Sequence, residues 1–213
     1  EPVAYILGKT EFYGISLNIS KSVLIPRRET EHVVTAILDK LDDTATSVLE
    51  LGTGSGAIST ALATHRPHWS FTATDCDPTA LAVAKANFVR LGLPIHTLES
   101  DWFSHLSSEQ LYDVIVSNPP YLSIHDPHLQ AGDLRFEPQH ALVSGESGLG
   151  DLHHLIAKGP AYLKPGGYLF VEHGSNQAAS VSTWFSAYQY AAHRTIKDYS
   201  KLDRVSWGKK EDH

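Results

Sequence analysis

The sequence predicts an α/β protein built on a doubly wound, mostly parallel sheet. Three observations carry that assignment. From residue 47 onward, short apolar runs alternate with amphipathic stretches, the pattern of repeated strand–helix units. A glycine loop, Gly52-Thr53-Gly54-Ser55-Gly56, follows the first of those strands. Charged or polar residues then recur just after each of the first four strands, which gathers them along the carboxyl edge of one sheet, where open α/β sheets hold their ligands.

Bulk properties narrow the class further. At 213 residues the chain is the size of one α/β domain with a small appendage. An apolar content of 42% against 19% charged residues supports an ordinary core and argues against disorder. The net charge of −7 argues against a nucleic-acid partner, which calls for a basic face. Cys76 is the only cysteine, so there is no disulfide framework, and a reducing, cytoplasmic setting is expected. No apolar run approaches membrane-spanning length and no signal-like start is present, so no membrane partner is expected. Methionine is absent even at position 1, so the sequence is expected to be a piece of a longer protein.

The elements follow in order. Residues 10–25 alternate through Phe12, Ile15, Leu17, Ile19, Val23 and Ile25, with Gly14 and Ser20-Lys21-Ser22 as turns, which reads as a β-hairpin arm closed by Pro26. Residues 31–41 place Val33, Val34, Ile37, Leu38 and Leu41 at helical spacing, with acidic residues at the start to suit the dipole. A polar turn at 42–46 leads to a strand at 47–51, the glycine loop and a helix at 57–64. The second strand, 71–74, ends in Asp75. Asp77-Pro78 then sets an N-cap and a first-turn proline for a helix that Gly92 terminates. A third strand at 95–98 precedes Asp101-Trp102, and a fourth within 113–117 precedes Asn118-Pro119-Pro120-Tyr121.

Residues 120–148 lack periodicity. A loop of that length is functional or disordered, and Leu134-Arg135-Phe136-Glu137 favours an ordered lid. A helix at 149–163 is expected to stop at Pro165-Gly166-Gly167, followed by a strand at 168–171 and a helix at 177–187. Two strands at 191–197 and 202–207 close the chain as an antiparallel pair.

The chemistry-bearing residues fall into four groups. Glycines at alternating positions beside a helix N-terminus let a ligand lie against bare backbone, although a tight turn without ligand uses the same residues. Their spacing differs from the Gly-x-Gly-x-x-Gly of dinucleotide sites, which disfavours an oxidoreductase. Asp75 stands where a carboxylate can accept both hydroxyls of a ribose. Asp101 and Trp102 could accept from an adenine amine and flank its ring, or could be a loop acid beside a core tryptophan. Glu50 is a carboxylate in an apolar run that needs a partner, such as an amino-acid ammonium.

The last group is the most specific. Two prolines after a strand end the ladder rigidly, because neither has an N–H and both fix φ. Asn118 then offers donors and an acceptor, and Tyr121 a flat face, an arrangement suited to holding a planar nitrogen group. The thirteen histidines include His125-x-x-His128 and His153-His154, but no cysteine partner or His-Glu-x-x-His spacing accompanies them, so no metal is expected. No nucleophile-elbow context supports covalent serine catalysis.

These residues carry a resemblance. Glu50-Leu51-Gly52-Thr53-Gly54-Ser55-Gly56, Asp75 and Asn118-Pro119-Pro120-Tyr121 are similar to class I S-adenosylmethionine-dependent methyltransferases acting on planar nitrogen. Tyr5-Ile6-Leu7-Gly8, Glu11-Phe12-Tyr13-Gly14, Val23-Leu24-Ile25-Pro26-Arg27, Glu29-Thr30-Glu31, Phe136-Glu137-Pro138 and Glu172-His173-Gly174 resemble the release factor glutamine methyltransferases, the HemK type, over essentially the whole chain. Arg28 departs from the proline more usual in that family.

The resemblance implies a seven-stranded sheet with a reversed last strand, plus the N-terminal β-hairpin. It implies a division into an arm at 1–27, linking to a helical N-terminal domain, and a methyltransferase domain at 28–213. S-adenosylmethionine is the implied cofactor, leaving as S-adenosylhomocysteine. It is expected at Glu50, Gly52, Thr53, Gly54, Ser55, Gly56, Asp75, Asp101, Trp102 and Asn118. The implied substrate is the glutamine of the Gly-Gly-Gln motif in peptide chain release factors, packed by Phe12, Asn118, Pro119, Pro120 and Tyr121, with Asn118, Pro119 and Tyr121 catalytic. A monomer is expected. The alternatives are a ribosomal-protein glutamine, an exocyclic amine of a nucleic-acid base and, more remotely, a dinucleotide-dependent oxidation.

Overall fold

A computed structural model describes residues 1–44, 46–188 and 190–212. Ala45, inside the expected turn at 42–46, lies outside the described residues, as do Gln189 and His213 of the expected 28–213 domain. The chain opens with a one-turn helix, α1 (Val3–Leu7), which Gly8 closes in the left-handed conformation. A hairpin, β1 (Lys9–Phe12) and β2 (Ile15–Asn18), follows. Pairing ends at Asn18, short of the expected Ile25. Ile19, Val23 and Ile25 are buried, but they pack with Tyr5 against Ala80 instead of continuing a ladder. The Tyr5 hydroxyl donates to the Val23 carbonyl at 2.6 Å and fixes that irregular wrap.

The helix α2 (Glu31–Lys40) leads into the strand–helix series: β3 (Ser47–Leu51), α3 (Ala57–His65), β4 (Ser70–Asp75), α4 (Pro78–Leu91), β5 (Ile95–Glu99) and β6 (Tyr112–Ser117). Then come α5 (Gly150–Lys158), β7 (Leu163–Glu172), α6 (Ala178–Ala187), β8 (Tyr190–Lys197) and β9 (Asp203–Lys210). The large sheet runs β5-β4-β3-β6-β7-β9-β8; β9 is antiparallel to both of its neighbours. This is the seven-stranded sheet with a reversed last strand that the sequence pattern and the resemblance predict.

Apolar, largely β-branched strands make the centre. Val48, Leu49 and Leu51 of β3 and Val114, Ile115 and Val116 of β6 are fully buried, as a parallel sheet covered on both faces requires. The α4 boundaries follow the predicted caps: Asp77 accepts the Thr79 N–H at 2.8 Å, Pro78 opens the helix and Gly92 closes it at φ +68°.

The fifth helix is shorter than expected. It gives way at Gly159-Pro160 to a single 3₁₀ turn, because Pro160 has no N–H for the helical ladder, and the Ile156 carbonyl left over accepts the Tyr190 hydroxyl at 3.1 Å. The residues expected to stop it, Pro165-Gly166-Gly167, lie inside β7 and are absorbed where the β6–β7 register shifts between Tyr112 and Val114.

The chain order places β4 and β5 on one side of β3 and β6 on the other. The carboxyl ends of β3 and β6 therefore flank a topological switch point, the crevice in which such sheets bind ligands.

Candidate active site

Two cavities meet at that crevice. The first is lined by Glu50, Gly52, Thr53, Gly54, Ser55, Asp75, Trp102 and Asn118 among others. Its floor is the glycine loop. The Thr53 N–H donates to the Thr74 carbonyl at 2.8 Å, joining the loop to β4. Gly56, at φ +82°, turns the chain into α3 and does not line the cavity. A Cβ there would lie 2.5 Å from the Phe88 ring, so the tight approach of α3 and α4 requires glycine.

Two carboxylates sit behind the loop. Glu50 is buried, and its Oε2 accepts from the Thr53 hydroxyl at 2.8 Å and from the Ser59 N–H, in the first turn of α3, at 3.1 Å. Burial pushes its carboxyl up to about 7. Asp75, also buried, accepts the Gly54 N–H at 2.8 Å and the Asp77 N–H at 3.0 Å; burial is the largest effect on it and raises it. Asp75 therefore braces the loop while its remaining lone pairs stay available to a ligand.

Trp102, at φ +47°, lays its ring over Gly52 and donates its indole N–H to Asp151 at 3.1 Å. Asp101 is exposed and lines neither cavity, so the expected contact with an adenine amine is not formed by the site's own geometry. Cys76 and His140 line the first cavity instead, without having been singled out in the sequence.

The second cavity is lined by Pro119, Pro120, Tyr121, Glu172, Arg204 and Arg27 among others. Asn118 and Pro120, with Leu24 and Ala141, line both cavities and stand between them. Asn118 Nδ2 donates to the Thr30 hydroxyl at 3.1 Å, and among the described residues none donates to its Oδ1, which is the atom left to accept from a ligand. Tyr121 donates its hydroxyl to Glu172 at 3.2 Å, and burial raises its pKa. Phe12 lies in neither cavity. The hairpin's alternation turns Phe12 and Leu17 into the main core, so the expected substrate contact of Phe12 is replaced by packing under the sheet.

The loop after Tyr121 is ordered by three 3₁₀ turns and a bridge between Leu122 and Val143. Glu137 reaches back to pair with Arg27 and accepts the Ile25 N–H at 3.0 Å, while His140 approaches Asp77 at 3.4 Å. At the loop's base, Gln177 donates to the carbonyls of Tyr121 (2.9 Å) and Gly148 (3.0 Å) and accepts the Gly174 N–H at 2.8 Å. Glu172, Arg204 and Gln177 come from distant strands and a helix start, and no motif spacing links them to Asn118. Glu172 was visible in the sequence only as part of a family-like segment.

Among the described residues, no cluster of three or more His, Cys, Asp or Glu could hold a metal, and no helix is long and apolar enough to cross a membrane.

A family model described as a methyltransferase small domain matches residues 28–137. Release factor glutamine methyltransferases from Salmonella typhimurium (44% identical) and Escherichia coli K12 (43%) each align with 98% of this chain, which spans 76% of their own length. Solved structures share the fold. The human Mettl16 catalytic domain in complex with an RNA hairpin superposes with a TM-score of 0.73 at 15% identity, covering 94% of this chain and 77% of that one. The Thermus thermophilus 16S rRNA N2 G1207 methyltransferase, solved with AdoMet and guanosine, gives 0.67 at 20% identity, covering 95% and 50%.

Proposed function

This chain belongs to the release factor glutamine methyltransferases, and from that premise we propose that it transfers a methyl group from S-adenosylmethionine to the N5 amide of the glutamine in the Gly-Gly-Gln motif of peptide chain release factors. One observation carries the reading: Asn118 stands between the two cavities, pinned by Thr30 through Nδ2 and with Oδ1 free. A donor held in one cavity and an amide held in the other would meet across this residue.

The first cavity fits the donor. Bare backbone at Gly52 and Gly54 accommodates close approach, Asp75 has lone pairs for ribose hydroxyls, and the buried Glu50 is suited to an ammonium. When bound, S-adenosylmethionine supplies a methyl group made electrophilic by its sulfonium sulfur.

The chain's own residues do the rest. An amide nitrogen is a weak nucleophile because its lone pair is delocalised into the carbonyl. Asn118 Oδ1 and the Pro119 carbonyl accept its two N–H bonds and aim the lone pair at the donor side. Positive charge grows on nitrogen as the bond forms, so these acceptors bind the transition state more strongly than the ground state. The two prolines hold the acceptors rigid, and Tyr121 packs the flat amide. Fixing two reactants in this way supplies on the order of 7–11 kcal/mol of the barrier reduction. No strong base is required before transfer, since the proton leaves the nitrogen afterwards.

The reading is tested by offering labelled S-adenosylmethionine with release factor, its Gln→Asn variant, a ribosomal protein and DNA in parallel. Label is expected in release factor alone. Label in DNA but not in release factor would overturn it.

Glu50 carries a pH prediction. Its carboxyl in the folded protein lies near 7, above the ordinary 4.5, so the native state binds more protons than the unfolded state between those values. Stability without donor therefore falls as pH rises from 4.5 to 7 and levels off above. Glu50→Gln is expected to flatten part of that slope and to add up to about 3 kcal/mol at pH 8. Urea melts across the range check this; an unchanged slope with lower stability at pH 8 would refute the assignment.

A further inference from the structure

Glu172 is a fully buried carboxylate of which the mechanism above makes no use. It ends β7, beside the strand that delivers Asn118, and its side chain is fully buried in the wall of the second cavity. One oxygen, Oε1, accepts the Tyr121 hydroxyl. The other, Oε2, has no hydrogen-bond partner among the described residues. A buried carboxylate oxygen left empty is costly, and such groups are normally filled.

The neighbours do not fill it. Arg204, on β9, lines the same cavity, but its guanidinium donates to Asp198 at 3.2 Å and to the His173 carbonyl at 3.4 Å. The Thr30 hydroxyl accepts from Asn118 and lies near enough to the carboxylate to favour its charged form without closing a hydrogen bond on Oε2, and Glu29 adds a like charge. Arg27 and His128 also line the cavity, with Arg27 paired to Glu137 and His128 to Asp126. Glu172 lines the cavity on the acceptor side of Asn118 and not the donor cavity, so a group that reaches its carboxylate enters with the substrate.

We propose that Glu172 is a substrate-binding residue of the acceptor cavity, whose free carboxylate oxygen accepts a hydrogen bond from an N–H donor of the incoming peptide. The proposal rests on the release-factor reading and deepens it by adding a second recognition point to the Asn118–Tyr121 clamp. Burial also pushes Glu172 up to about 7, so the fully charged acceptor forms only as the pH rises past neutrality.

The test is kinetic, with Glu172→Gln as the shape-preserving variant and Tyr121→Phe as its companion. Glu172→Gln is expected to lower kcat/KM for release factor about 10- to 100-fold, mainly through KM, with S-adenosylmethionine affinity unchanged as proof of folding. At saturating donor, wild-type kcat/KM should climb between pH 6 and 8, and that climb should vanish in Glu172→Gln while His128 remains. If Glu172 serves only to hold the Tyr121 hydroxyl, Tyr121→Phe reproduces the whole loss and the double variant is no worse, which overturns the proposal. A Glu172→Gln enzyme with wild-type KM and pH profile overturns it as well. Wild-type transfer is measured alongside: its absence brings down the functional reading and this proposal with it, whereas an active wild type with an unimpaired variant brings down the proposal alone.

Discussion

Asn118→Ala is expected to lower turnover about 100-fold or more while S-adenosylmethionine affinity changes by only a few-fold. The estimate follows from the loss typical when one preorganised hydrogen-bonding group at the reacting centre is removed. The side chain is held by Thr30, so its contribution is preorganised and is not recovered by solvent, which must reorganise to replace it. Donor affinity is spared because Asn118 is one residue of a cavity whose floor, Asp75 and Glu50 remain. Single-turnover transfer to release factor, paired with calorimetric donor binding, separates the two effects. A variant with near-full rate and intact donor binding would remove Asn118 from the mechanism.

Gly148→Ala is expected to reduce kcat/KM by about 30- to 100-fold and to lower the melting temperature, although the residue touches neither reactant. Gly148 sits at φ +73°, and a Cβ there would stand 2.5 Å from the Tyr121 carbonyl oxygen and 3.0 Å from the backbone of Leu122 and Ser123. Backbone cannot rotate aside as a side chain can, so the clamp itself must shift. A misplacement on the order of 1 Å in a catalytic site costs about 100-fold. Gly145 provides the control. It lies in the same loop at φ +65° with open space where a Cβ would go, so Gly145→Ala carries only the conformational cost of about 1–2 kcal/mol and should leave kcat/KM unchanged. Equal activity in the two variants would mean that the contact with Tyr121 does not set the clamp's position.

The central strands were legible because a parallel sheet buried on both faces needs uninterrupted apolar runs, and the α4 boundaries because Asp77, Pro78 and Gly92 each act locally. Asn118 was legible for a similar reason, since two prolines after a strand leave few alternatives. What stayed hidden was set by packing. The alternation from Ile19 to Ile25 reads as strand, yet those residues are buried against Tyr5 and Ala80 and, beyond the Ile19 N–H bond to the Gly8 carbonyl, join no ladder. Phe12 looked like a substrate contact until the hairpin's register turned it inward. Asp101 and Trp102 are adjacent in sequence, but the positive φ of Trp102 brings only the indole to the cavity. Glu172 and Arg204 reach the acceptor side through β7 and β9, which pair antiparallel, and no spacing in the sequence announces that neighbourhood.

Gln177 has a consequence for what holds the clamp in place. By gathering the carbonyls of Tyr121 and Gly148 onto one amide, it closes the neck of the intervening loop, so the entropy of joining the loop's ends is already spent in the folded state. The backbone position of Tyr121 is thereby set at the base of the loop and not at its tip, so tip substitutions that spare Gln177 should leave the clamp where it is.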